Sequence, residues 1–330
     1  MHMDDAIYAD ESIYEYPMQQ GGGNDGRPYS FGRPSSGGSK AAYPCKSYGQ
    51  GRINPAYFYG IFDPNDMRRD VSITMTGSNG KGVEKLIPFV PNSKAEGGGL
   101  TLNKWDENRQ ANPWVAAQRK SGINGPYMRM SEVYLGYAEV CAALGDVVTG
   151  KQYLKTVRER SFPQGLADTD GFIASFGNDL VRAIIEERGF EYAGEGDRRW
   201  TLIRSGYLPE DIKRIKDMTK AMMDGLATKG YYEFENGNII SAYIWTKLVD
   251  AKTIYGHRLT AQCPMDKVND PVLYPGWRGQ KDNWEEMGLN YGNSAPATNL
   301  AIKGLFEIVS EEEAASLESQ GYAKVNWGID

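Results

Sequence analysis

The apolar residues of 130–144 constrain the fold most, because they recur at spacings of three and four. Such spacing places side chains along one side of an α-helix. The predicted stripe consists of Met130, Val133, Tyr134, Tyr137, Val140, Cys141 and Leu144. Gly145 ends the pattern, and a second short helix is predicted over 150–160. The brief connection between the two predicts an antiparallel hairpin of tetratricopeptide-like size.

Three further helices are predicted downstream, over 172–193, 209–227 and 310–320. The second begins with proline and acidic residues, and the third begins with the residue pair of a capping box, as helix N-termini commonly do. Residues 228–305 are mixed and rich in loops, with a strand-like NIISAYIW. We therefore predict a helical region over 126–330 that contains this loop-rich part.

Residues 1–125 carry few helix signals and form a separate, loop-rich segment. Glycine, proline and serine are dense over 21–51, which indicates a loop. A strand-like ESIYEYPM precedes this loop, and a short helix in NPAYFYGIFDPND follows it. An alternating strand is predicted at Val71–Met75.

Chemistry based on histidine or cysteine has few residues to draw on. The chain contains only His2, His257, Cys45, Cys141 and Cys263 as such residues. No CxxC pair occurs, so neither a zinc knuckle nor a disulfide framework is indicated. The glycine-rich TGSNGKG lacks the flanking residues of a Walker loop, which excludes a nucleotide site there. We predict no metal site and no cofactor.

The net charge of −6 and the 21 tyrosines favour a neutral polar ligand over nucleic acid. Nucleic acid requires a concentrated basic face. Tyrosine rings instead suit polar molecules that can stack on them. We therefore predict that the chain does not bind nucleic acid.

The stretch EERGFEYAGEGDRRWTLIRSG, which begins at Glu186, allows two interpretations. Its glutamates Glu186, Glu191 and Glu195 could be catalytic acids and bases. Alternatively, acids and arginines pair across a helix junction, because arginine binds carboxylates bidentately. We favour this structural clamp, since no spacing here fixes two carboxylates across a cleft. Trp200 would lie on the clamp, and its loss from a buried site would cost about 3 kcal/mol.

Several of these segments together resemble a known family. MRMSEVYLGYAEVCAALGD, YLKTVRERSF and IIEERGFEYAGEGDRRWTLIRSG, in this order and spacing, resemble the C-terminal half of SusD/RagB-type proteins. FDPNDMRRDVSI resembles the segment that precedes this half in the family, and LYPGWRGQ…NYG…TNLAIKGLFEI resembles the family's C-terminal region. The resemblance covers roughly residues 8–330 and is most specific over 126–206.

The resemblance implies a mainly α fold of tetratricopeptide-like hairpins with a loop-rich C-terminal subdomain. Family members are non-catalytic, glycan-binding lipoproteins on the outer surface of Bacteroidetes cells. They pass an oligosaccharide or polysaccharide to a TonB-dependent β-barrel transporter of the outer membrane. They also carry a secretion signal, a lipidated cysteine and a first half of the scaffold that are not recognised here, so the chain is expected to be a C-terminal fragment. Cys45 does not follow a hydrophobic run and is not the lipidated cysteine.

The predicted ligand surface is the loop of 27–59, because aromatic rings bind the apolar faces of sugars and polar neighbours bind the hydroxyls. The candidate ligand residues, with one ring outside the loop, are Tyr29, Phe31, Arg33, Tyr43, Tyr48, Tyr57 and Trp114. Each ring could instead pin the loop to the scaffold. Trp105 is predicted to lie in the core.

Two other classes of function remain as alternatives. A helical-repeat scaffold that binds proteins would need at least three regular repeats, of which only one or two hairpins are visible. A glycoside hydrolase is disfavoured because no acid pair can be assigned.

Overall fold

The computed structural model describes residues 10–22, 53–74, 76–78, 84–86, 101–105, 120–229 and 231–241. Within these ranges the chain is mostly helical, which confirms the predicted mainly α class. No helix in this part of the chain combines the length and apolar character needed to cross a bilayer. The helix predicted over 310–320 and most of 228–305 lie outside the described residues.

The first half of the described chain contributes short elements. In chain order they are β1 (Ser12–Tyr16), α1 (Pro55–Ile61), α2 (Met67–Ser72), β2 (Ile73–Thr74), β3 (Thr76–Ser78), β4 (Glu84–Leu86), β5 (Thr101–Leu102) and β6 (Gly125–Arg129). β1 pairs with β6, β2 with β5 and β3 with β4, each antiparallel.

The second half supplies the helical body and a last β-hairpin. Its elements are α3 (Met130–Ala143), α4 (Val147–Glu159), α5 (Thr169–Ala174), α6 (Leu180–Glu191), α7 (Asp197–Ser205), α8 (Leu208–Lys229), β7 (Tyr231–Glu233) and β8 (Ile239–Ser241). β7 and β8 pair antiparallel.

The strand predicted at Val71–Met75 is wrong over its first two residues. Asp66 caps α2 by accepting a hydrogen bond from the backbone N–H of Arg68, and the helix continues to Ser72. Extended backbone begins at Ile73, where β2 pairs with β5. A local cap therefore overrides the alternating pattern.

The predicted hairpin is present as α3 and α4, which pack against each other. Gly145 makes the turn with a φ of 88°, a conformation that favours glycine. Asp146 then caps α4 by accepting from the N–H of Thr149. At Gly150 a Cβ would lie 3.0 Å from the carbonyl oxygen of Ala138, so glycine permits the close approach of the two helices.

The predicted apolar stripe of α3 is divided between the core and the solvent. Of its members only Cys141 is buried, whereas Val133 and Tyr137 are about half exposed. The buried side of the helix consists instead of Ser131, Leu135, Ala138 and Cys141. Val140 and Leu144, which were also predicted to share the stripe, are likewise exposed. The buried side is rich in small residues because α4 lies close to it, and a count of apolar residues does not reveal this.

The single helix predicted over 172–193 is two helices. Gly177 and Asn178 both adopt left-handed backbone, with φ of 65° and 66°. Asp179 then caps α6 by accepting from the N–H of Arg182. The break separates α5 from α6, and α6 becomes the centre of the helical body.

Two hydrophobic clusters meet on α6. Ile184 belongs to a cluster with residues of α3, α4 and α5, and Ile185 belongs to a second cluster with residues of α7 and α8. Every residue from 182 to 193 is buried. Since this buried run contains several charged side chains, each must find an opposite charge or hydrogen-bond partner inside the fold.

Candidate functional site

Glu187, on α6, has no exposed side-chain surface and binds two arginines. Its Oε1 accepts from Nη1 of Arg68 at 2.6 Å, and its Oε2 accepts from Nη1 of Arg158 at 3.0 Å. The Arg158 guanidinium also lies over the ring of Phe172, 3.9 Å from the centroid. Glu187 is therefore a buried carboxylate whose two oxygens are both bound by cations.

Glu191, one turn further along α6, binds three arginines from three segments. Its oxygens accept from Arg129 at 2.6 Å, from Arg160 at 2.8 Å and from Arg68 at 3.1 Å. Burial alone would raise the pKa of Glu191, but these guanidinium groups hold it well below its usual range. The carboxylate is consequently ionised at any physiological pH.

Glu195 lies in the turn after α6 and is bound by Lys104 and Arg129. The Lys104 Nζ donates to its Oε1 at 2.5 Å and also to the Glu191 carbonyl at 2.7 Å. The Arg129 Nη2 donates to the same Oε1 at 2.9 Å. Burial lowers the pKa of Lys104, although Glu195 opposes that shift.

Glu186 points to the other side of α6, where α7 and α8 supply its partners. Arg198 donates to it at 2.8 Å and Arg214 at 2.7 Å, and both arginines also bind Asp211. Burial opposes ionisation, yet the two arginines hold the pKa of Glu186 at about 2. Gly189 admits the Arg198 guanidinium, because a Cβ there would lie 2.6 Å from its Nη1.

The predicted pairing across the helix junction is confirmed. Arg198 pairs back to Glu186, and Arg188 pairs forward to Asp197 at 2.7 Å. Arg188 also donates to Glu132 on α3 at 3.1 Å. The acids and arginines of this stretch join α6, α7 and α8.

We call the buried and partly buried charges on both sides of α6, together with Arg160 at their edge, the charge cluster. Its members are Glu186, Glu187, Glu191 and Glu195 with Arg68, Lys104, Arg129, Arg158, Arg160, Arg198 and Arg214. The partners outside the 186–206 stretch were not recognised as partners from the sequence. A signal was nevertheless present, since FDPNDMRRDVSI, MRMSEVYLGYAEVCAALGD and YLKTVRERSF each supply at least one arginine to the cluster.

The charge cluster is suited to holding elements together and not to proton transfer. A general acid needs a raised pKa and an open path to its substrate. Glu186 and Glu191 are buried, doubly or triply bound and depressed in pKa. The acid–base interpretation of these residues is therefore disfavoured by their surroundings. No group of three or more potential metal-ligating side chains occurs within the described ranges.

Trp200 does not lie inside the clamp, and its predicted burial is wrong. Its side chain is 68% exposed, with the Arg199 guanidinium 5.9 Å from the ring centroid. α7 instead turns Thr201 and Leu202 inward. Because Thr201 and Leu202 form the inward face of α7, the side chain of Trp200 lies in solvent.

Replacing Trp200 by alanine is accordingly expected to change the free energy of unfolding by no more than about 0.5 kcal/mol, as is usual for exposed sites. Urea unfolding of the variant beside the parent measures this. A loss near 3 kcal/mol would contradict the exposed position.

Of the seven predicted ligand residues, only Tyr57 lies in the described part of the chain. It is on α1, its hydroxyl donates to the Gly189 carbonyl at 3.1 Å, and its ring meets Phe62 edge to face. Burial raises its pKa to about 12. Tyr57 thus contacts the fold through both its ring and its hydroxyl. Outside the described residues lie Tyr29, Phe31, Arg33, Tyr43, Tyr48 and Trp114.

Trp105 is 5% exposed, which confirms its predicted core position. Its indole N–H donates to the carbonyl of Gly194 at 3.4 Å. The ring therefore packs beside the turn that follows α6.

An exposed group of tyrosines lies on the antiparallel β1–β6 pair and was not recognised from the sequence. We call Tyr14, Tyr16 and Tyr127 the tyrosine ribbon. Their side chains are 55%, 58% and 80% exposed. The Tyr14 and Tyr127 rings meet nearly at right angles, with centroids 5.8 Å apart. The alternating tyrosines of IYEY were the available signal.

Comparison with known proteins finds SusD-type proteins both by sequence and by structure. The model of the SusD family matches residues 6–275. The SusD-like protein P25 of Formosa agariphila is 28% identical over 160 residues, which is 48% of this chain and 26% of that protein.

Solved structures similar to this chain include a SusD homolog from Bacteroides thetaiotaomicron, with 23% identity and a TM-score of 0.35 over 49% of this chain and 33% of that one. Another is surface glycan-binding protein A from Bacteroides thetaiotaomicron in complex with laminarihexaose, with 18% identity and a TM-score of 0.42 over 62% of this chain and 46% of that one. The chain thus spans about a quarter of the curated relative and less than half of these structures.

Proposed function

The chain belongs to the SusD family, and we propose that it binds an oligosaccharide or polysaccharide without cleaving it. The observation that carries the non-catalytic part is the charge cluster. Each of its four glutamates is bound by at least two cationic side chains, so none is available as the acid of a glycosidase pair.

The binding part of the proposal is supported by the family and by the composition of the chain. Surface glycan-binding protein A is a glycan-binding protein by its name, and its complex holds laminarihexaose. The 21 tyrosines of this chain supply rings of the kind that stack on sugars. We place the ligand residues on the loop of 27–59, apart from Tyr57, which packs on the fold from α1, and at Trp114, since loops carried by a rigid scaffold commonly hold binding sites.

We further propose that the whole protein acts at the outer face of the outer membrane and delivers its ligand to a TonB-dependent transporter. Both statements follow from the family resemblance. Co-purification of the full-length protein with the transporter, after gentle detergent extraction of outer membranes, tests them together.

A protein-interaction scaffold is the second candidate, and exposed apolar side chains of the α3–α4 hairpin favour it. The exposed set consists of Val133, Tyr137, Val140, Leu144, Val147 and Val148. Several exposed apolar side chains on one hairpin can mark a protein contact. Such a contact is compatible with glycan binding elsewhere on the molecule.

Incubation with a panel of soluble polysaccharides and oligosaccharides that includes laminarihexaose is expected to show binding without cleavage. Native affinity electrophoresis and isothermal titration calorimetry measure the binding. Anion-exchange chromatography of the same mixtures after a long incubation should return the starting chain lengths. Shorter products that are absent from a heat-denatured control would overturn the non-catalytic proposal.

A further inference from the structure

We infer that the tyrosine ribbon is a sugar-stacking platform on the scaffold itself, separate from the 27–59 loop. Its ligand is a neutral pyranose chain that lies along the β1–β6 pair. The inference rests on the proposed glycan binding and adds a specific surface to it.

The ribbon presents its rings to solvent for a geometric reason. Tyr14 and Tyr16 are two residues apart on β1, which places them on one face of the strand. Tyr14 lies opposite Met128 and the next residue of β1, Glu15, lies opposite Pro126, so Tyr127 is a bulged residue with no residue of β1 opposite it. A bulge redirects a side chain, and Tyr127 is accordingly the most exposed of the three rings.

The arrangement of the rings leaves stacking surface open. A perpendicular pair such as Tyr14 and Tyr127 covers one ring face, whereas a parallel stack would cover two. The uncovered faces can receive the C–H groups of a pyranose, and the phenol hydroxyls can bind its hydroxyls. The exposed face of α3–α4 carries a perpendicular pair as well, Tyr137 and Tyr153, but Tyr137 is less exposed than any ring of the tyrosine ribbon and aliphatic side chains predominate around it.

The backbone beneath the rings is held at both ends. At one end, Glu11 binds Arg129 and Arg160, and the N–H of Met130 donates to the Glu11 carbonyl. At the other end, Asn124 accepts from the N–H of Met18 and donates to Glu15 at 2.8 Å.

Because Arg129 and Arg160 also bind Glu191, the charge cluster anchors the ribbon. A platform that is already rigid loses little conformational entropy when a ligand binds. Tyrosine adds little to that cost, since its side chain has only two rotatable angles. A buried electrostatic scaffold and an exposed aromatic surface are thus parts of one arrangement.

The test is the full chain with Tyr14, Tyr16 and Tyr127 all replaced by alanine. Its affinity is measured by calorimetry for the panel oligosaccharide that the parent binds best, with laminarihexaose as the first probe. Each stacking ring is expected to contribute on the order of fivefold in Kd, so the triple variant should bind roughly 100-fold more weakly. Its thermal unfolding should remain close to that of the parent, because the three rings are exposed.

Two matched variants separate stacking from other effects. Replacing the three tyrosines by phenylalanine keeps the rings and should retain most of the affinity. Trp200→Ala removes an equally exposed ring that lies off the ribbon and should leave Kd unchanged. A parallel variant with Tyr29, Phe31 and Tyr48 replaced by alanine reports on the loop.

The outcomes distinguish this inference from the proposed function. If the parent binds glycan and the ribbon variant binds equally well, the inference is overturned and the proposed function stands. If the parent binds no member of the panel, both are overturned. If the ribbon variant changes the sedimentation behaviour of the chain and not its glycan affinity, the ribbon is a contact between copies and the inference is likewise overturned.

Discussion

Replacing Glu187 by glutamine is expected to lower the free energy of unfolding by about 3–5 kcal/mol, the usual cost of breaking a buried ion pair. The change leaves Arg158 as a buried guanidinium that has lost its carboxylate, with the rings of Phe162 and Phe172 beside it. Arg68 is less affected, because Asp66 and Glu191 still bind it. Urea unfolding followed by circular dichroism measures the loss.

The exposed pair of Lys213 and Asp217 provides the control. Both side chains are largely in solvent, so Asp217→Asn should cost well under 1 kcal/mol. A double variant that also replaces Arg158 by methionine should regain part of the loss, since it removes the unpaired charge and leaves an apolar side chain among the phenylalanines. A loss below 1 kcal/mol for Glu187→Gln, or no recovery in the double variant, would show that Arg158 is not the buried charge on which the expectation depends.

The pairing within the 186–206 stretch could be predicted because both partners are close in sequence. Two charged segments that flank a glycine-containing turn must lie near each other, and arginine and carboxylate groups then pair. The partners from α2, β6 and α4 could not be predicted in the same way, since only the tertiary fold brings them to α6. Their presence was implied by the burial of α6, which the sequence alone did not reveal.

The sequence predicted where helices form more reliably than it predicted which side of each helix is buried. The apolar spacing of α3 identified a helix correctly, but it placed Val133 and Tyr137 with Cys141 on one buried face. The side of α3 that is buried is decided by how closely α4 approaches it. That approach depends on the contact of Gly150 with Ala138. The positions of the small residues therefore indicate which sides of the two helices pack together, and the number of large apolar residues does not.

The candidate ligand surface was predicted from composition, and composition favours glycine-rich loops that contain aromatic rings. Because IYEY lies outside such loops and has the pattern of an ordinary strand, its tyrosines were not predicted as ligand residues. Only the pairing with β6 shows that Tyr127 is bulged and that it meets Tyr14. Glycan binding by the loop of 27–59 stays a prediction.

Lowering the pH from 5 to 2 is expected to remove several kcal/mol of stability through Glu186 and Glu191. The pKa of Glu186 is about 2 in the folded chain, against an ordinary value of 4.5. A depressed folded-state pKa contributes stability that is fully present above 4.5 and is lost as the pH falls through 2, which amounts to about 3 kcal/mol for this group. The pKa of Glu191 is depressed by the same kind of neighbours, so its contribution is lost in the same direction.

The urea midpoint at a series of pH values between 7 and 2, for the parent and for Glu186→Gln, tests this origin of the acid sensitivity. Glutamine cannot titrate, so the variant should be much less stable than the parent at pH 7 and should lose less as the pH falls. The difference in urea midpoint between the parent and Glu186→Gln should therefore narrow steadily below pH 4.5. Asp217→Asn, which alters only an exposed pair, should follow the parent throughout. A gap between the parent and Glu186→Gln that is as wide at pH 2.5 as at pH 7 would mean that Glu186 is not held ionised by Arg198 and Arg214, and that acid unfolding begins elsewhere in the fold.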